Sequence, residues 1–213
     1  MSDQSIDKGL RDSFGWTPYV VLGGAALFGC AATILCDMVM WFLVEDYNPV
    51  ADTISELGAG PYAELQDTGI TLFALGIVAL GIGLVLRGQP GKLPTAVRAA
   101  FFALAADVAA IALYNEYGDG DVGGLVLHRW FVAAAYGLVG FLFLAGPTAA
   151  EQMEGKLKRI SRILGVLWIL TAPIFYLLPT AWDGGFERIL AMFIVLPVAF
   201  AGRQLMRTPK GLE

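Results

Sequence analysis

Six stretches of this chain are apolar over roughly the 20 residues that a helix needs to cross a bilayer. They are residues 18–44, 68–86, 95–114, 126–147, 160–178 and 187–206. Hydrocarbon offers no partner to an open backbone, so each run is expected to be helical. The gaps are too short for a separate soluble domain. Charged residues make up 15% of the chain, well under the roughly 25% of a soluble domain. The expected fold is therefore all-α: a polytopic membrane protein with six transmembrane helices in one bundle over residues 18–206, between tails 1–17 and 207–213. The polar first tail and the length of the first run argue against a cleavable signal peptide. Pro173, Pro179 and Pro197 are expected to bend or end the last two helices.

Orientation follows from Lys and Arg. Lys8 and Arg11, then Arg87, Lys92 and Arg98, then Lys156, Lys158, Arg159 and Arg162, and finally Arg203, Arg207 and Lys210 all fall on one side of a six-crossing chain. The other side has only Arg129 and Arg188. Both termini are thus expected in the cytoplasm of a prokaryotic cell, with the protein in the plasma (inner) membrane. The outer connections are acidic, which the exclusion of bases largely explains. No basic groove with interleaved aromatics is present, so nucleic acid is not an expected partner. Membrane lipid is, and a larger membrane-protein complex is a further candidate.

The outer connection 48–61, Asn-Pro-Val-Ala-Asp-Thr-Ile-Ser-Glu-Leu-Gly-Ala-Gly-Pro, gathers Asp52, Ser55 and Glu56. Thr53-x-x-Glu56 fits a capping box, with Asp52 as another possible cap, so a one-turn surface helix is expected before the glycines. Below it, Asp37 and Asp107 lie inside the first and third runs, each about 9–12 Å from the outer boundary at 1.5 Å per residue. Such a carboxylate costs about 3 kcal/mol on insertion scales. The plain account is that Arg129 and Arg188 pair with the two acids. The sharper one is an outward polar cavity with Asp37 and Asp107 as floor, His128, Arg129, Glu187 and Arg188 as wall, and the 52–56 stretch as lid. Within it, Ser55 is a candidate nucleophile, His128 a candidate base and Asp107 a candidate orienting acid. Histidine changes charge near neutral pH, which suits a base, although no G-x-S-x-G elbow is present. A single histidine excludes a zinc site built from two or three; neither a metal nor a cofactor is expected. Alanines 99, 103, 106 and 110 in the third run, and glycines 76, 81 and 83 in the second, are expected at close helix contacts.

The element Asp52-Thr-Ile-Ser-Glu-Leu-Gly58, His128 at the start of the fourth run and Gly185-Phe-Glu-Arg188 at the start of the sixth resemble the Domain-of-Unknown-Function 998 family of prokaryotic six-helix membrane proteins. The resemblance spans nearly the whole chain. It implies a six-helix fold whose signature residues face the extracytoplasmic side, and it implies no activity. A more distant similarity, to the membrane hydrolases that include alkaline ceramidases, implies a Ser, an Asp and several His around a metal, from which a chain with one histidine departs. Three functions remain open: an outward site for a lipid or small ligand, with hydrolysis as one chemistry for it; a structural or accessory subunit; and a proton-coupled transporter.

Overall fold

The structure is a computed structural model, and it describes residues 18–114, 127–150, 153–177, 179 and 181–207. The two expected tails, except Arg207, and the acidic connection with Glu116, Asp119 and Asp121 lie outside these residues. The described chain is helical, without strands: α1 (Pro18–Leu43), the short α2 (Ile54–Ala59), α3 (Ala63–Leu86), α4 (Lys92–Leu113), α5 (Leu127–Ala149), α6 (Gly155–Thr171) with a 3₁₀ extension (Ala172–Leu177), and α7 (Asp183–Met206).

Five of these, α1, α3, α4, α5 and α7, are long and apolar enough to cross a membrane. The run at 160–178 takes a different form. Its α-helix ends at Thr171, and Pro173 sits in the tighter 3₁₀ turn that follows. Proline lacks the N–H that an α-helix needs and clashes with the preceding turn. Pro147 and Pro197 are accommodated inside α5 and α7.

The bundle is apolar on its outside. Phe42 is 85% exposed, and Phe28, Leu170 and Leu196 are also largely exposed, a distribution suited to lipid rather than water. α3 is the central helix: half of its most apolar stretch, of mean hydropathy 2.5, is buried inside the protein. It packs on α1 where backbones nearly touch. A Cβ on Gly69 would fall 2.7 Å from the Cβ of Cys36, and one on Gly29 only 2.5 Å from the Leu72 carbonyl oxygen. Gly76 meets Ala26 in the same seam, and Gly81 and Gly83 meet Phe102 and Leu205. The second-run glycines are therefore at contacts. The alanines are not all so placed. Ala99, Ala103 and Ala106 are exposed, and α4 buries Ala100, Leu104, Ala105, Val108 and Ala112 instead. A helix with small residues on every side gives no pattern by which to choose its packed face. Trp168, Phe143 and Phe193 fill the space between α5, α6 and α7, with ring centroids 5.9–6.5 Å apart.

Candidate functional site

At one end of the bundle the chain leaves α1, crosses over as 44–53, forms α2 and enters α3. The capping box expected from the sequence is present. Thr53 N–H donates to Glu56 Oε2 (2.6 Å), and Glu56 N–H donates to Thr53 Oγ1 (3.1 Å). The helix ends at Gly60, whose N–H returns to the Leu57 carbonyl. Asp52 does not cap α2. Its Oδ2 accepts the Asn48 N–H (2.7 Å) and closes the preceding turn.

Two neighbouring residues at the start of α7 hold this crossover. Successive helix residues point about 100° apart, so Glu187 and Arg188 grip different parts of it. Arg188 forks onto Asp37 through Nε (3.0 Å) and Nη2 (2.8 Å). Its Nη1 donates to the carbonyls of Pro49 (2.9 Å), Asp52 (2.9 Å) and Gly184 (3.1 Å). Nη2 also reaches the Tyr47 hydroxyl, and the guanidinium lies over the Trp41 and Tyr47 rings. The side chains of Arg188 and Asp37 are each 14% exposed. All three guanidinium nitrogens are committed to the protein, so this pair fastens the crossover to α1 and α7.

Tyr47 is part of that fastening. Its hydroxyl donates toward the Asp52 (3.1 Å) and Thr53 (3.4 Å) carbonyls. Burial pushes the phenol up to about 12, with Arg188 pulling back in part. The neutral phenol is thus the form the fold prefers. Its contribution is complete below the ordinary tyrosine value of about 10 and is lost as pH rises from there toward 12. Thermal unfolding in detergent should fall off across that window in the wild type, and less steeply in Tyr47→Phe. Equal slopes would show that the phenol does not govern the alkaline limit.

Glu187 turns the other way, to α2. Its Oε2 accepts the Ile54 N–H (2.5 Å), an amide with no partner inside the helix. Its Oε1 lies 3.2 Å from Ser55 Oγ. The same hydroxyl is 2.9 Å from His128 Nε2, and His128 Nδ1 is 2.8 Å from the Tyr114 carbonyl. A carbonyl can only accept, so Nδ1 carries a hydrogen. In the neutral imidazole Nε2 then presents its lone pair to Ser55, the tautomer a general base requires. If the ring is protonated, Nε2–H donates to Oγ and the serine proton turns to Glu187. Ser55 is therefore a one-proton link between a base and an acid.

Of the residues expected at the site, Ser55, His128 and Glu187 are brought together, as are Asp37, Arg188 and the backbone of Asp52. Asp52 and Glu56 line a recess of about 390 Å³ with Val44, Tyr47, Leu57, Ala59 and Gly60. Ser55 is not among its lining residues. Asp107 and Arg129 are not joined to each other. His128 takes the inward face of α5, at 5% exposure, so Arg129 one residue on is exposed. Asp107 Oδ2 is buried with no hydrogen-bond partner among the described residues. The two deep acids thus have different surroundings. Tyr47, the Tyr114 carbonyl and Gly184 were not singled out from the sequence. The adjacent glycines 184–185 were the available signal for the last, whereas a carbonyl leaves no trace in side-chain chemistry.

Apolar helices in a bundle, with a fastened polar crossover at one end, define a multi-pass integral membrane protein. The chain belongs to the family described as protein of unknown function (DUF998), whose model matches residues 27–204. No match was found among curated proteins or among solved structures.

Proposed function

We propose that the protein is a membrane-embedded serine hydrolase-like enzyme acting on a lipid ester or amide at the outer face of a prokaryotic plasma membrane. The chain crosses six times, with both termini in the cytoplasm. The observation that carries this reading is the 2.9 Å contact between Ser55 Oγ and His128 Nε2, with Nδ1 held by the Tyr114 carbonyl. In the reaction, Oγ attacks the acyl carbonyl carbon as its proton passes to Nε2. The imidazolium then returns that proton to the leaving alcohol or amine, and water releases the acyl group from Ser55 by the same exchange. Glu187 holds Ser55 in place from the other side, through the Ile54 N–H and the serine hydroxyl. Exposed Trp130, Trp182 and Tyr62 lie at or near the same ends of the helices, as expected of side chains at headgroup depth.

The test is labelling of the detergent-purified protein with a fluorophosphonate, which reacts with activated serines. Ser55→Ala is expected to abolish labelling, and His128→Gln to slow it at least about 100-fold, the usual scale of a general base. A wild type that does not label, or His128→Gln labelling at the wild-type rate, would reject the catalytic reading. The second reading is a structural or accessory subunit. It is favoured by Arg188, whose donors are all satisfied inside the protein.

A further inference from the structure

α6 has a face that stays exposed among the described residues. Its packed side is Ser161, Gly165 and Trp168: Ser161 Oγ donates to the Phe143 carbonyl (3.0 Å), and Trp168 Nε1 donates to that of Tyr136 (2.8 Å). A Cβ on Gly165 would meet Phe143 at 2.8 Å. The opposite side carries a groove of about 550 Å³ lined by Gly155, Lys158, Arg159, Arg162, Ile163, Val166 and Leu167. It is divided by chemistry. The basic residues are at the α6 N-terminal end, where the bilayer surface would lie. Exposed Ile163, Val166 and Leu167 continue along the helix into the membrane.

The basic end is rich in cations. Lys156, Lys158, Arg159 and Arg162 occupy the first two turns of Gly155–Thr171, which itself contains no acid and follows the N-cap Glu154. Cations there also oppose the helix dipole, which favours negative charge at this end. Arg162 reaches Thr148 Oγ1 (3.1 Å). Arg159 is exposed and makes no hydrogen bond among the described residues. We propose that this groove binds one anionic phospholipid of the leaflet on that side, its phosphate between Arg159 and Arg162 and an acyl chain along Ile163, Val166 and Leu167. Two features of the groove support this occupant. The cations match a phosphate, and Arg offers a planar fork to its oxygens. The apolar half has the character of an acyl chain, which free phosphate would leave uncovered. This site is independent of Ser55.

The experiment uses the full chain, stripped of lipid and given equal phosphatidylglycerol and phosphatidylcholine, with retained lipid counted by native mass spectrometry. Retention of one phosphatidylglycerol in preference to phosphatidylcholine is expected. Arg159→Gln and Arg162→Gln should each weaken retention about fivefold, the usual weight of one basic residue at an anionic surface. Arg159→Gln removes no hydrogen bond among the described residues, and each variant leaves the other bases of this side to set orientation. Equal retention of the two lipids, or wild-type retention by Arg159→Gln, would overturn the proposal. So would complete displacement by inorganic phosphate at matching concentration, since the groove would then be a plain anion site.

Discussion

Replacing Arg188 with alanine should remove most of the protein's resistance to unfolding. The substitution strands the Asp37 carboxylate inside the bundle, where breaking one side of a buried pair costs about 3–5 kcal/mol. It also frees the Pro49, Asp52 and Gly184 carbonyls that Nη1 now holds. Thermal unfolding in detergent should show a large drop for Arg188→Ala and a smaller one for Asp37→Asn, which leaves a neutral acceptor. The double variant Arg188→Met/Asp37→Leu should recover much of the loss, because the desolvation penalty then disappears with both charges. If the double variant is as unstable as Arg188→Ala, the carbonyl contacts matter more than the ion pair.

The second large effect is expected from one methyl group. Gly184 N–H donates to the Ala51 carbonyl (3.3 Å), and Gly185 N–H donates to that of Val50 (2.8 Å). These bonds join α7 directly to the crossover. A Cβ on Gly184 would land on the Asp52 carbonyl, with the Ala51 carbonyl carbon at 3.0 Å. The obstacle is backbone, which cannot swing aside as a side chain can. Gly184→Ala should therefore push 50–52 off α7, at a cost of about 1–3 kcal/mol, and carry α2 away from His128. Loss of fluorophosphonate labelling should accompany the loss of stability. Gly185→Ala is the matched control. Its Cβ would meet Val50 no closer than 3.6 Å, an ordinary contact, so stability and labelling should stay near wild type. Similar behaviour of the two variants would mean that the close approach at Gly184 is not what sets the crossover in place.

The helices were legible because a bilayer demands long apolar runs, and the short α2 because a capping box is a local pattern. The Arg188–Asp37 pair was also legible: an arginine on an otherwise base-poor side and a carboxylate inside a helix each call for a partner. Extending the same logic to Arg129 and Asp107 failed. A charge count shows which residues need partners but not which way adjacent residues point. His128 faces inward, and Arg129 therefore cannot. Contact between Ser55 and His128 could not be read either. The two are 73 residues apart, and only the folded bundle relates the ends of α5 and α7 to α2. The alanines of α4 were misplaced for a related reason, since uniform composition carries no direction.

The fastening of the first helix by the last also sets an order of events during synthesis. Asp37 precedes Arg188 by 151 residues, which a ribosome adding about 5–20 residues per second takes roughly 8–30 s to produce. For that interval α1 carries its carboxylate without the cation that later neutralises it, and Ser55 lacks Glu187. The Ser55–Glu187 contact therefore cannot be assembled on a partly made chain. It becomes available only when the start of α7 has left the ribosome.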